Sequence, residues 1–523
     1  MNIYWLNPPP KTEVLVADLA WMNFSTYCKE YNWIPPIIDW EDYNDVEDVV
    51  NHILDNNTNV LCVSTYMWNH LLVDVVTKRV KELNSNIIII RGGPHQGYNE
   101  TFFERYPQID YLCYATGHGE QFLKQALPQI QKYGKILFPD NVPFLISRTY
   151  KSKNLKGKFD YLNESSLQHN INYLTDLTVT AKIKNKQSVM PFELSRGCPY
   201  SCTYCEWGGG TGTKVSKKPF DVLKSDIDLI CYLQISDIEI IDANFGIFPQ
   251  DIDALNYFIE HRRKTGYPKS VMCYGLAKVK PEKKEMILDA MFNEGLATTY
   301  SMSLQSIDSD VLAVSKRTDI STEDQIRLAK KYIKEYDAKI KVEIILGMPG
   351  STLDIFYEEC DLFQVTNTWY NARNIFCLLP DTEAASKEYR EKYKIKSAII
   401  GSSENEESVY YELAKGVISK YKSSQEIMTG CYSYTTEEWK EMFFMNKAQR
   451  VIGPHIGEGK KASIVLRETY QVIKTQQWFQ PINQWIDKII NSELKDVDVN
   501  LINGMFIEKI VEDNFDEFKF MVK

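Results

Sequence analysis

Three cysteines, Cys198, Cys202 and Cys205, share the segment 193–206 with the spacing C-x3-C-x2-C, and an aromatic residue, Tyr204, precedes the last of them. A loop this short can aim three thiolates at one point. Three is the significant number. A cubane iron–sulfur cluster has four irons, so three thiolates leave one iron without a protein ligand, open to a substrate or cosubstrate. The competing reading is a zinc knuckle. Structural zinc takes four closed ligands, usually from CxxC-type pairs, whereas the next candidates, Cys231 and His261, lie far along the chain. The spacing also departs from the ferredoxin run, which carries a fourth cysteine followed by proline.

The C-x3-C-x-aromatic-C triplet resembles the signature of the radical S-adenosylmethionine (SAM) enzyme superfamily. The resemblance implies a 4Fe–4S cluster on Cys198, Cys202 and Cys205 whose open iron chelates the amino and carboxylate groups of SAM. An external donor would supply the electron that cleaves the sulfonium and releases a 5′-deoxyadenosyl radical, which takes hydrogen from substrate. Tyr204 would pack beside the adenine.

Composition narrows the partners. The 523-residue chain is long enough for two or three domains. Lys plus Arg is 60 and Asp plus Glu is 70, a net charge of −10, which speaks against a nucleic-acid partner. No segment approaches the apolar length of a membrane span. The opening residues lack a basic region followed by an apolar run, and the 11 cysteines are odd in number and scattered in apolar runs. A cytoplasmic location with reduced thiols is expected.

The fold class expected is α/β. Strands are predicted at 2–6, 59–64, 87–91 and 109–114, with helices at 45–54, 69–83 and 119–130. Alternation of this kind builds a doubly wound parallel sheet over residues 1–138. Each strand ends in a distinctive loop, and in such sheets the loops gather at the carboxyl edge, where ligands bind. The residues picked out there are Tyr66, Trp68, Asn69, Gly92, Gly93, Pro94, Gly117 and Gly119. The layout resembles the cobalamin-binding domain fused to many radical SAM enzymes, which implies cobalamin as a further cofactor. The D-x-H-x-x-G motif is absent, so no axial cobalt ligand is named; His95 and His118 are read as surface or supporting residues.

Periodicity fades over 139–190, read as a linker. From 191 to 396 a second series is expected, with strands at 191–195, 237–242, 270–275, 298–304, 341–346 and 372–378 and helices at 221–233, 281–293, 322–336 and 353–366. Six strands with intervening helices suggest a partial (β/α)6 barrel whose catalytic loops sit at the strands' carboxyl ends. Residues 397–523 turn mainly helical, with amphipathic candidates at 436–451 and 464–474, and would cap the barrel mouth.

Strand-end polar groups supply the SAM candidates. Asp242 and Asn244 replace the family's usual Gly-Gly-Glu-like segment and would meet the methionine ammonium. Ser303 and Gln305 fall on one face of the fourth strand with Ser301. Gly347 and Gly350 resemble the family's adenine loop. Glu343 would need a compensating partner if buried, and Arg196 or Lys278 is expected in that role. Trp207 would shield the metal.

Two reactions follow from the resemblance. The first is cobalamin-dependent C-methylation of an unactivated carbon. The second is cobalamin-independent epimerisation of a peptide, for which Cys360 and Cys377 are the hydrogen-donor candidates; for each, a buried packing role competes. A non-catalytic cobalamin or cluster sensor ranks lower. A tRNA methylthiotransferase is disfavoured, because the extra cluster cysteines and basic tail are missing. The substrate expected is a peptide or mid-sized natural product, with the acidic run 404–407 a candidate contact for a basic leader.

Overall fold

The computed structural model describes the whole chain except residues 10–13, 67–68, 95–97, 99, 115–116, 154–158, 206–213, 274–275, 319–320, 370–372, 380–381, 403–422, 494–504 and 523. The strands in chain order are β1 (Asn2–Leu6), β2 (Val14–Val16), β3 (Asn32–Ile34), β4 (Val60–Ser64), β5 (Ile88–Gly92), β6 (Tyr111–Cys113), β7 (Leu145–Ile146), β8 (Gln187–Phe192), β9 (Ser195–Arg196), β10 (Ser216–Lys217), β11 (Asp237–Ile240), β12 (Ser270–Cys273), β13 (Thr299–Gln305), β14 (Lys339–Leu346), β15 (Asn374–Ile375), β16 (Lys396–Ser402) and β17 (Ser423–Gly430).

The first sheet runs β3-β1-β4-β5-β6-β7, parallel except for β7. Alternate residues face two separate cores. Ile3, Trp5, Val60 and Cys62 pack with the helices Leu19–Tyr27 and Gly119–Tyr133, while Tyr4, Leu6, Leu61 and Val63 pack with Val46–Asp55 and His70–Leu83. This is the doubly wound arrangement, buried on both faces. The order reverses between β1 and β4, and such a switch point opens a crevice at the carboxyl edge.

The second α/β series carries all six predicted strands. The first begins earlier than expected, at Gln187, because Val189 and Met190 pair with Asp237 and Ile238 of β11. An N-terminal strand joins it: β2 lies parallel to β8. The expected single partial barrel is instead hydrogen-bonded as two open sheets, β12-β11-β8-β2 and β13-β14-β15. At the seam Val271 N–H donates to the Leu296 carbonyl (2.8 Å). β12 is short and a 3-10 turn at Leu276–Lys278 follows soon after, which leaves no length over which a ladder to β13 could run.

The stretch 139–190, read as aperiodic, contains β7 and the helix Ile171–Ile183, whose Tyr173, Leu174, Leu177 and Ala181 are buried. Beyond residue 397 the expected helices are present, Thr436–Ile452 starting on a Thr435/Glu438 capping box, and an antiparallel pair, β16 with β17, stands before them. Among the described residues no helix is long and apolar enough to cross a membrane.

Candidate functional site

The cysteine loop hangs from a two-stranded neck. β9 pairs antiparallel with β10, Arg196 opposite Ser216 and Ser195 opposite Lys217, and the three cysteines follow β9 in the chain. Gly197 has φ +102°, and a Cβ there would stand 2.8 Å from the Lys214 carbonyl oxygen. Only glycine permits that crossing. Asp242, just past β11, anchors the neck by accepting from Leu194 N–H (2.8 Å) and the Ser195 hydroxyl (2.6 Å). Burial pushes its carboxyl up to about 7, against the pull of those two bonds. Each oxygen of this predicted ammonium receptor is thus already engaged inside the chain.

Cys198 and Cys202 are buried and Cys205 is half-buried, none of them in a disulfide. Asn244 donates its side-chain N–H to Cys198 Sγ at 3.2 Å, so it touches a proposed metal ligand directly. Among the described residues no three His, Cys, Asp or Glu side chains stand ready to hold a metal; the three thiols share a loop without meeting at a point. The donor set nonetheless fits a 4Fe–4S cluster: three thiols after one neck strand, with an amide donating to one of them. Trp207 lies outside the described residues.

The strand residues form a connected polar row. Tyr300, Met302 and Leu304 are buried while Ser301, Ser303 and Gln305 are half-buried on the other face, as alternation requires. Arg317 donates to the Tyr204 hydroxyl (2.7 Å) and to the Ser303 carbonyl. Ser303 Oγ donates to Glu343 at 2.5 Å. The partner of Glu343 is Lys341 at 3.1 Å, two residues along the same strand face, and not Arg196 or Lys278. Arg196 is committed to Glu120 and Glu193, and Lys278 donates to the Thr318 carbonyl. Gln305 takes φ +66° beside a bulge in β13. Arg317 escaped the sequence reading because it follows a short helix with no motif around it.

Gly347 and Gly350 both have positive φ. Their loop packs under the segment after β17: Tyr434 donates to the Gly347 carbonyl (2.6 Å) and Gly350 N–H donates to Ser433 Oγ (3.0 Å). Those two backbone groups, expected to meet a purine, are engaged by the C-terminal region.

At the carboxyl edge of the first sheet lies a cavity of about 610 Å³, a size typical of cofactor sites. Of the residues picked out for the crevice, Tyr66, Gly92, Gly93, Pro94, Gly117 and Gly119 line it. Trp68 lies outside the described residues. Asn69 is instead a tie beneath the rim, donating to the carbonyls of Pro8 (3.0 Å) and Ser64 (3.3 Å) and accepting from Tyr66 N–H (2.8 Å). Asp18, which the sequence reading missed, also lines the cavity; it caps the helix Leu19–Tyr27 while Trp5 and Asn7 donate to it at 2.7 and 3.1 Å. Burial raises its carboxyl against those bonds. His118 stacks on Phe144 at 4.9 Å and its ring nitrogen lies 3.1 Å from the Gln121 side-chain oxygen, a supporting position. His95 lies outside the described residues.

The opposite wall belongs to the cysteine neck: Glu193, Arg196, Gly197 and Lys214. Arg196 forks onto both oxygens of Glu193 (2.9 and 2.9 Å) and reaches Glu120 (3.0 Å) and the Gly117 carbonyl (2.8 Å). Burial works against the Glu193 charge, but Arg196 outweighs it and holds the carboxyl below its ordinary value.

The two candidate hydrogen donors part company. Cys360 is 0% exposed, in a network with Gln449 and Arg373 at 3.3 and 3.4 Å. Cys377 is half-buried beside β15, and burial pushes its thiol up to about 11.

No family model matches the chain. It is 28% identical over 319 residues to the cobalamin-dependent radical SAM methyltransferase TokK of Streptomyces tokunonensis, covering 60% of this chain and 45% of that protein. It is 27% identical over 296 residues to the 2-(S-pantetheinyl)-carbapenam-3-carboxylate methyltransferase of Streptantibioticus cattleyicolor, covering 56% and 42%. These matches span less than half the length of either curated relative. The structure of the radical SAM methyltransferase TsrM from Kitasatospora setae, with cobalamin and a 4Fe–4S cluster bound, shares the fold with a TM-score of 0.61 at 13% identity, over 94% of this chain and 98% of that one. The chain is thus similar in sequence, over somewhat more than half its length, to cobalamin-dependent radical SAM methyltransferases, and similar in fold to TsrM.

Proposed function

We propose that this chain is a cobalamin-dependent radical SAM methyltransferase acting on an unactivated carbon of a mid-sized natural product. The observation that carries the reading is the shared wall: the neck of the three-cysteine loop is also one side of the carboxyl-edge cavity. When bound, the cluster, SAM and cobalamin would supply the reducing electron, the radical precursor and the methyl group.

The chain's own residues hold these partners apart but adjacent. Cys198, Cys202 and Cys205 would hold the cluster, with Asn244 steadying Cys198. Tyr204, Ser303 and Glu343 form the polar row on which SAM would lie, pinned by Arg317. Glycines at 92, 93, 117 and 119 bring backbone against the ligand of the cavity. Such positioning matters because a radical attacks whatever is nearest. We read the six strands as a split barrel, with 1–138, 139–190, 191–396 and 397–523 as its structural divisions. An external one-electron donor is part of the proposal. The relatives' names support a small natural-product scaffold over a peptide, and the interior position of Cys360 takes one hydrogen donor from the epimerase reading.

The test is anaerobic reconstitution with iron, sulfide and cobalamin, followed by SAM carrying a labelled methyl group and a reductant. Label in retained cobalamin, together with 5′-deoxyadenosine, is the expected result. Absence of any retained cobalamin would refute the reading.

A further inference from the structure

We propose that Arg196 couples the two halves of this site, so that a ligand filling the N-terminal cavity tightens the cysteine loop, and metal in the loop tightens the cavity's hold on its ligand. The inference deepens the proposed function and rests on it.

Arg196 sits two residues before Cys198 and is itself part of the cavity wall. One guanidinium bonds three separate pieces of chain. Its Nε and Nη2 take the carboxylate of Glu193, between β8 and the neck. Its Nη1 reaches Glu120, in the first turn of the helix Gly119–Tyr133, and the Gly117 carbonyl in the loop before it. Its face lies 3.8 Å from the ring centre of Phe159. The returning strand of the neck makes the same connection, because Ser216 Oγ donates to the Phe159 carbonyl. Both ends of the loop, Gly197 and Lys214, line the cavity as well.

A ligand that presses on Gly117 and Gly119 therefore presses on the partners of Arg196, and through it on the neck. A buried forked pair has few alternative geometries, so the displacement is passed on instead of absorbed. Coupling between two binding equilibria is reciprocal, and a typical size is about tenfold. Arg196 is a positioning residue in this scheme; no bond to substrate is assigned to it.

The experiment uses cluster-free full-length protein under anaerobic conditions. Iodoacetamide labelling of Cys198, Cys202 and Cys205 is followed by mass spectrometry with and without saturating cyanocobalamin, whose cobalt offers no open position to a thiol. Cys431, half-buried and outside the loop, is the internal reference. Equilibrium dialysis reports cyanocobalamin binding in parallel. In the natural chain, labelling of the three loop thiols slows about tenfold and that of Cys431 does not change. With cyanocobalamin raised in each variant until dialysis shows the cavity filled, the slowing is lost in Arg196→Lys and in the milder Glu120→Gln. Slowing that persists in both variants means direct shielding and overturns the role of Arg196. Binding without slowing in the natural chain overturns the coupling alone. No binding at all sinks both the coupling and the proposed function.

Discussion

Asn244 donates a hydrogen bond to the sulfur of Cys198 at 3.2 Å, and Asp242, two residues earlier, holds the strand from which that cysteine springs. The segment after β11 thus serves the cysteine loop from two directions. A hydrogen bond to a metal-bound thiolate stabilises its charge, which favours the reduced cluster. Asn244→Leu keeps the volume and removes the donor. The reduction potential of the reconstituted cluster is expected to fall, measured by potentiometry with paramagnetic detection. An unchanged potential would mean that the amide only packs.

Gly93 and Gly134 separate the role of close approach from that of backbone conformation. Both have positive φ, +96° and +67°. A Cβ at Gly93 would lie 2.5 Å from the Thr65 nitrogen, whereas one at Gly134 meets nothing within 4 Å. Alanine at Gly134 is expected to cost about 1 kcal/mol. At Gly93 the cost is expected to be at least twice that, roughly 2–4 kcal/mol, with loss of ligand retention by the cavity. Urea titration and equilibrium dialysis check the pair.

Much of the N-terminal sheet was legible in the sequence, because residues 60–63 of β4 and 88–90 of β5 are short apolar runs, mostly buried. The glycine-bearing loops after β5 and β6 announced the crevice for the same reason. The helix Ile171–Ile183 was missed although Tyr173, Leu174, Leu177 and Ala181 keep helical spacing. Thr175, Thr178, Val179 and Thr180 disguise it, being β-branched residues of low helix propensity. The polar row from Arg317 through Ser303 to Glu343 could be anticipated only in part. Alternation placed Ser303, but nothing in sequence spacing links residue 317 to residue 204.

Glu359 and Arg373 form a buried pair at 2.8 Å, with side-chain exposures of 5% and 0%. Arg373 also donates to the Gln449 side chain (3.1 Å) and to the Phe356 carbonyl (2.7 Å), so it ties the second α/β series to the C-terminal helix Thr436–Ile452. Arg373→Met leaves Glu359 buried and unpaired, with an expected loss of roughly 3–5 kcal/mol. Adding Glu359→Gln should restore part of it. A double-mutant cycle by chemical denaturation measures the coupling. Additive losses would show that the two charges act independently.

Lys447 lies on the inner side of the same helix and is 7% exposed. Burial, aided by the neighbouring charge of Arg450 and opposed by Glu508, pushes its ammonium down to about 8. The unfolded chain holds that proton up to about 10.4. Between these two values the unfolded state binds more protons than the folded one, so stability rises with pH across that window. Below pH 8 both states are protonated and the folded state carries the full cost of a buried charge. Lys447→Met should therefore be more stable than the natural chain at pH 7, by roughly 3 kcal/mol from the size of the shift. The advantage should shrink steadily from pH 8 to pH 10. Urea midpoints for the two proteins at pH 7, 8, 9 and 10 test it. A constant difference across that range would show that the ammonium reaches water and that its burial has no energetic consequence.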